Sequence, residues 1–197
     1  MKRLLILVCV LLFATSFVYA EQIGVGVSVG ANLAFLSTEG ALDSLLSERS
    51  PRIGLSAGVY GDYEFHAIQD KLHLSVQPGI FYTMKGFRLD EVKINLDYLE
   101  IPVLVKARMP LDGSLSPYAL LGPSIGLNVV RESESGSFSV SSDDKRTDFG
   151  IIFGAGVDLD RDISLDIRAN FGLVNIMDTS SRNQNHSVAL MVSYRVL

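Results

Sequence analysis

Cysteine is almost absent from this chain, and its one cysteine lies near the N-terminus. Cys9 falls inside an apolar run that begins at Leu4. A chain cleaved after that run has no thiol, so it can form neither a disulfide nor a cysteine-ligated metal site. An exported domain without disulfides needs another source of stability. A closed β-sheet, with every backbone group paired, is one such source.

Long apolar runs and positive charge are also scarce. After residue 20 no apolar stretch reaches 18 residues, which excludes a helical membrane protein. Without Lys2 and Arg3 the chain has 15 basic against 22 acidic residues, a net charge of −7. An acidic chain is a poor ligand for nucleic acid, so no nucleic-acid partner is expected.

Residues 1–20 have the features of a secretory signal peptide. Lys2 and Arg3 form a charged start, Leu4–Phe13 forms an apolar centre, and Ala20 is the small residue of a cleavage site. The alternative, an N-terminal membrane helix, would need a longer apolar run. The sequence therefore predicts a cleaved signal at 1–20 and one exported domain at 21–197.

The remainder of the chain alternates with a period of two residues, which is typical of half-buried strands. Near the start, Ile23, Val25 and Val27 alternate with glycine and serine. We predict an all-β fold, an eight-stranded antiparallel up-and-down transmembrane β-barrel. The predicted strands are Gln22–Leu33, Arg52–Phe65, Leu72–Phe87, Asn95–Met109, Pro117–Arg131, Asp148–Asp160, Ile163–Ile176 and Ser187–Val196.

The connections between these strands alternate in length. Outer-membrane barrels have short periplasmic turns and longer external loops. This rhythm predicts that both termini face the periplasm. The short connections are His66–Lys71, Pro110–Leu115 and Asp160–Asp162, and the longer ones are Leu33–Pro51, Gly86–Lys93, Arg131–Thr147 and Met177–His186.

Three prolines lie inside predicted strands. Pro78, Pro102 and Pro123 each remove one donor from the ladder of backbone hydrogen bonds. They predict bulges or bends at these positions.

The segment LDYLEIPVLVKARM (Leu96–Met109), followed by PYALLGPSIGL (Pro117–Leu127), resembles the PorT-like outer-membrane β-barrel family. The segments LSVQPGIFYTMKG (Leu74–Gly86) and DFGIIFGAGVDL (Asp148–Leu159) are similar to it as well. The resemblance implies a small barrel in the outer membrane of a Gram-negative bacterium, and it implies no shared biochemical activity. The expected partners are outer-membrane lipid, lipopolysaccharide and the barrel-insertion machinery. One departure is Val196, which stands where such barrels usually end in an aromatic residue.

Charged residues of both signs fall on the inward-facing positions of the predicted strands. An eight-stranded barrel is just wide enough for its own side chains to fill it, and buried charges persist only when paired. We therefore predict a plugged lumen; the alternative is a proton or ion path. The expected partner of Lys106 is Glu100, Asp62 or Asp166. The predicted lumen charges are Asp62, Glu64, Lys85, Glu100, Lys106, Arg108, Asp158, Asp166, Arg168 and Arg195.

Signs of catalysis are weak. His73 and His186 are candidate general bases, with Ser75 and Ser187 nearby in sequence. His186 and Ser187 are adjacent, so a strand directs them to opposite faces. A structural histidine is the favoured interpretation at both sites. No metal-ligand set stands out, no cofactor is expected, and the chain is predicted not to be an enzyme.

The sequence therefore favours a non-enzymatic barrel whose external loops do structural or binding work, including contact with an extracellular or envelope protein. In that fold Val103 and Val105 face lipid, while Glu100 and Lys106 face the lumen. The first alternative is a lipocalin-like periplasmic carrier with its apolar face turned inward around an apolar ligand. Less favoured alternatives are a narrow channel and a lipid-modifying barrel enzyme.

Overall fold

A computed structural model describes residues 23–37, 52–68, 71–89, 92–111, 115–133, 147–160, 162–173 and 184–197. The predicted signal peptide and most of the long connections, at 38–51, 134–146 and 174–183, lie outside these residues. The strands are β1 (Ile23–Ser37), β2 (Arg52–Ile68), β3 (Leu72–Leu89), β4 (Val92–Arg108), β5 (Ser116–Ser133), β6 (Thr147–Asp158), β7 (Ile163–Gly172) and β8 (Gln184–Arg195).

The eight strands form one closed barrel in chain order, and every neighbouring pair is antiparallel. The ring closes between β1 and β8, where Val29 pairs with Val192. This confirms the predicted fold class. Among the described residues no helix is long and apolar enough to cross a membrane.

Strand lengths differ from the prediction around the β3–β4 connection. The expected medium loop at Gly86–Lys93 is instead paired strand, with Phe87 opposite Ile94 and Leu89 opposite Val92. Alternation of apolar residues continues through this region, so the ladder extends almost to the turn. In the other direction, β7 ends at Gly172 rather than at Ile176.

The two faces of the barrel wall differ sharply in polarity. The outward side chains of β1 include isoleucine, valine, alanine and leucine, and Val29 is 55% exposed. The inward side chains of the same strand include Ser28 and Asn32, both buried. In β4, Val105 is exposed and Lys106 is buried. An apolar exterior suits lipid, whereas a carrier of the lipocalin type needs its apolar face inside.

The barrel has two distinct ends. The turn end carries the β2–β3, β4–β5 and β6–β7 turns together with the C-terminus, where the Val25 amide donates to the Leu197 carbonyl oxygen. The loop end carries the β1–β2, β3–β4, β5–β6 and β7–β8 connections.

Side chains fill the middle of the lumen. Tyr60, Phe81 and Met191 form one buried apolar cluster. Leu104, Tyr118, Leu120 and Ile152 form another. Glycines opposite the large rings make this packing possible; a Cβ at Gly26 would overlap the Tyr60 ring. These two clusters together are called the apolar layer below.

Candidate functional site

The main candidate site is the set of charged side chains inside the lumen, and at the turn end they centre on Asp158. The Lys106 ammonium donates to the two Asp158 carboxylate oxygens at 3.0 and 3.1 Å. The Ser164 hydroxyl donates to the same carboxylate at 2.8 Å, and the Arg108 guanidinium lies 4.0 Å from it. Asp158 therefore holds together side chains from β4, β6 and β7.

A second carboxylate extends this network toward β2 and β3. The Arg108 guanidinium also donates to Glu64 at 3.2 Å. Glu64 lies 2.7 Å from Nδ1 of His73. His73 thus has a carboxylate partner in a network of ion pairs. No hydrogen bond joins it to Ser75 among the contacts of the described residues.

Two further ion pairs complete the turn-end cluster. Asp166 accepts hydrogen bonds from the Arg168 guanidinium at 2.6 and 3.1 Å and from the Tyr118 hydroxyl at 2.9 Å. The Arg195 guanidinium donates to Asp62 at 2.9 Å. The turn-end cluster comprises Asp62, Glu64, His73, Lys106, Arg108, Asp158, Asp166, Arg168 and Arg195.

Aromatic rings connect the turn-end cluster to the apolar layer. The Lys106 ammonium lies 3.9 Å from the centre of the Tyr118 ring. The Arg168 guanidinium lies 5.6 Å from the centre of the Phe81 ring. Attraction between these cations and the ring faces adds to the ion pairs.

The partner expected for Lys106 was wrong. Glu100, Asp62 and Asp166 were expected, but the ammonium binds Asp158. Lys106 is on β4 and Asp158 is on β6, so the contact passes over the lumen side of β5, the strand that lies between them. Strand register predicts neighbours along the wall, and it does not predict which side chains meet across the interior.

A smaller cluster lies at the loop end. The Lys85 ammonium donates to Glu100, which also accepts from Asn170 at 3.0 Å and from Thr83 at 3.1 Å. Lys85 is only 2% exposed. The loop-end cluster is Lys85, Glu100, Asn170 and Thr83, with Asp148 described next.

Asp148 was missed as a lumen residue. It shares the inward face of β6 with Gly150 and Ile152, and it is 6% exposed. Its Oδ1 atom has no hydrogen-bond partner among the described residues, and the carboxylate interacts electrostatically with Lys85 and Glu100. Its position, two residues before Gly150 in an alternating strand, was the signal that could have identified it.

The apolar layer separates the two charge clusters. Along β4, Leu104 lies between Lys106 and Glu100, and along β6, Ile152 lies between Asp158 and Asp148. Among the described residues no group of three or more His, Cys, Asp or Glu side chains could hold a metal ion. This arrangement is suited to closing the lumen.

His186 lies apart from the lumen clusters. It pairs with Phe171 of β7, and the two rings stack edge to face with centres 5.7 Å apart on the outward surface. Within the described part of the chain neither ring nitrogen has a hydrogen-bond partner, and both nitrogens are buried. Ser187 pairs with Ala34 on the inward face. The two residues therefore lie on opposite sides of the wall and do not form a dyad.

One more polar contact on the outward surface was not predicted. Asp97 falls on the outward side of β4, where the Tyr82 hydroxyl donates to it at 2.6 Å. A β-bulge between β4 and β5 lies at Asp97 and Tyr98. Asp97 and His186 are polar side chains on the outward face near the loop end, and both are buried, at 9% and 8% exposure.

The sequence matches a known family model over most of its length. Residues 15–178 match the family described as outer membrane protein beta-barrel domain. No curated protein matches the chain.

Several solved structures are similar to this chain. The outer membrane enzyme PagL is 13% identical, with 84% of this chain and 97% of that chain covered and a TM-score of 0.53. Neisserial surface protein A is 15% identical, with coverage of 88% and 99% and a TM-score of 0.49. Ail, the attachment invasion locus protein of Yersinia pestis, is 17% identical, with coverage of 88% and 99% and a TM-score of 0.45. Likeness at these identities concerns the fold alone.

Proposed function

Because the chain belongs to the outer membrane protein beta-barrel domain family, we propose that it is a non-enzymatic barrel whose lumen is plugged by paired charges. The observation that carries this proposal is the filled interior, with two charge clusters on either side of the apolar layer. A water-filled path would have to pass Leu104 and Met191, each 1% exposed.

The setting proposed is the outer membrane of a Gram-negative bacterium, reached through a cleaved signal peptide. The turn end and both termini then face the periplasm, and the long connections face outward. The partners proposed are outer-membrane lipid, lipopolysaccharide, the insertion machinery and an extracellular or envelope protein bound by the loops. Kinship with PorT-like barrels is proposed on the motif at Leu96–Met109.

The charge pairs favour a plug over an ion path. An ion entering the lumen would have to replace a carboxylate or ammonium partner that is already in hydrogen-bond contact. Asp158 accepts hydrogen bonds from Lys106, which is 4% exposed, and from the Ser164 hydroxyl, and the Arg108 guanidinium lies 4.0 Å away. Breaking a buried pair leaves an uncompensated charge, which is strongly unfavourable.

Conductance across a planar bilayer tests the plug. Purified wild-type protein should give no steady single-channel current. A variant with Phe81→Ala and Leu104→Ala, which removes side chains from the apolar layer, should give a measurable current. This variant is the positive control, because its current shows that the barrel has inserted into the bilayer. A large steady current from the wild type would contradict the plug.

A lipid-modifying enzyme is the second candidate function, because His186 lies on the outward face of β8 and PagL, a barrel of similar fold, is an outer membrane enzyme. His186 is only 8% exposed, and both of its ring nitrogens are buried, which counts against this function. Ser187 lies on the opposite side of the wall, which counts against it. Mass spectrometry of lipid A after overexpression is the test. Loss of an acyl chain that His186→Ala abolishes would establish the enzyme.

A further inference from the structure

The ladder of the barrel wall is interrupted at three neighbouring strand interfaces. The other five interfaces pair without a gap across the stretches described for them. The breaks fall between Tyr60↔Gly79 and Tyr63↔Val76, between Pro78↔Val103 and Phe81↔Glu100, and between Pro102↔Ser124 and Val105↔Leu121.

Each of these three gaps contains a proline, whereas the register shifts at Glu64/His66 and Asp97/Tyr98 on two of the same interfaces contain none. Continuing the register across the gaps places Pro78 opposite Gly61, Pro102 opposite Gly79 and Pro123 opposite Val103. Because proline has no backbone N–H, each gap lacks a donor that the neighbouring strand would otherwise use. In the interior of a sheet prolines are rare for this reason.

The three gaps adjoin one another. Pro78 pairs directly with Val103, which itself lies opposite Pro123. Gly61, Pro78, Val103 and Pro123 therefore form a row of cross-strand neighbours on the outward face, near the middle of β2, β3, β4 and β5. This row and its gaps are called the proline seam.

Between β3 and β5 the gap positions of the seam carry apolar residues on both sides of the wall, and the polar side chains of Glu100 and Ser124 border them on the inner side. Outside it are Ile80 and Leu121, each 51% exposed. Inside it are Phe81 and Leu104 of the apolar layer, at 4% and 1% exposure. At the β2–β3 gap the inner side is polar, because Asp62 lies there in its ion pair with Arg195.

We propose that the barrel wall opens locally at the proline seam between β3, β4 and β5, and that the opening admits a hydrocarbon chain of a bilayer lipid to the apolar layer. Backbone groups without partners are costly in hydrocarbon, so the closed wall is least stable here. The charge clusters close both routes along the axis, and hydrocarbon is what the outward side of the seam contacts in a membrane. The proposal rests on the membrane setting of the proposed function.

Photolabelling from within the bilayer tests the seam. The full chain is placed in phosphatidylcholine vesicles that contain a phospholipid with a diazirine on its acyl chain, and labelled residues are mapped by mass spectrometry after illumination. In the wild type, Phe81 and Leu104 should be labelled as well as the outward Val105 and Leu121. Labelling of the outward residues alone would contradict the proposed opening of the wall at the proline seam.

Proline variants in β5 identify the cause. Pro123→Ala restores an N–H at the seam and should lower labelling of Phe81 and Leu104 by about fivefold, the effect of one net hydrogen bond on the opening equilibrium. Hydrogen exchange of peptides spanning 101–104 should slow as well. Pro117→Ala is the matched control, since Pro117 lies outside the seam in a continuous pairing with Val157, and inward labelling should not change.

Two results separate this proposal from the function above. Inward labelling that is equal in the wild type and in Pro123→Ala contradicts the seam and leaves the membrane setting intact. No labelling of Val105 or Leu121 contradicts the membrane setting itself, and the seam with it.

Discussion

The turn end and the loop end of the lumen hold charge in different ways. At the turn end four carboxylates meet four basic side chains, and each carboxylate contacts at least one base. At the loop end, among the described residues of the lumen, Lys85 is the one base for two carboxylates, Glu100 and Asp148. Each end keeps one buried carboxylate oxygen without a hydrogen-bond partner among the described residues, Oδ1 of Asp62 at the turn end and Oδ1 of Asp148 at the loop end. The difference is that Asp62 forms an ion pair with Arg195, whereas Asp148 has no ion pair within the described part of the chain.

This difference shows that the number of lumen charges does not by itself tell how each charge is partnered. Opposite charges balance at the turn end, so loss of any member strands another. At the loop end the lysine has two acceptors within electrostatic reach, so loss of one leaves the other. The two ends should therefore respond differently to substitutions of the same kind.

The largest effect is expected for Asp158→Ala at the turn end. It removes the partner of Lys106, Arg108 and Ser164 and should lower the free energy of unfolding by about 3–5 kcal/mol. Urea unfolding in vesicles, followed by circular dichroism because the chain has no tryptophan, measures this. Ser164→Ala is the control and should cost about 1 kcal/mol. Equal effects of the two variants would show that the ion pairs are not the source of stability.

Val103→Arg tests whether the outward face of the wall contacts lipid. Both charge clusters depend on this, because they then lie on the face turned away from lipid. An arginine there should cost about 2–4 kcal/mol of unfolding free energy if the site lies near the bilayer midplane. Val103→Leu is the control and should be nearly neutral. A spin label at Val103 should be reached by oxygen in the lipid, and one at Lys106 should not. The reverse pattern would mean that the barrel is inside out.

Glu100→Gln breaks the loop-end pair and should cost less than Asp158→Ala, about 1–3 kcal/mol. The reason is that Lys85 can turn to Asp148, whose Oδ1 atom is unpartnered. Adding Asp148→Asn should then cost more than the sum of the two single changes. If the two losses of unfolding free energy simply add in the double variant, Asp148 does not replace Glu100 as the partner of Lys85, and the proposed difference between the two ends is wrong.

The smallest effect is expected for Tyr82→Phe. It removes one hydrogen bond to Asp97 on the outward surface near the loop end and should cost about 0.5–1.5 kcal/mol. Tyr63→Phe, also in an outward position but near the turn end, is the comparison variant. The same urea titration measures both. A cost for Tyr82→Phe as large as that of Asp158→Ala would show that the outward contact matters as much as the lumen.

Much of the wall was predictable from alternation. The period of two in β1 and β4 sets which residues face outward, and Lys106 faces the lumen as expected. The β3–β4 connection was predicted at Gly86–Lys93, whereas the cross-strand pairs continue to Leu89 and Val92. Asp148 was passed over because it stands at a predicted strand start, where an acidic residue is unremarkable.

The sequence by itself determined the class of fold, the inward and outward faces of the strands and the presence of charge inside, because a strand directs alternate side chains to opposite faces. Only the tertiary structure decided which charges meet. Lys106 of β4 binds Asp158 of β6 over the lumen side of β5, and Glu100 accepts hydrogen bonds from Lys85 of β3 and Asn170 of β7. The alignment of Pro78 and Pro123 in one row of cross-strand neighbours, with Pro102 in the adjoining gap, also depends on register. Each of these contacts depends on how far strands are staggered when the sheet closes, and local alternation carries no information about that stagger.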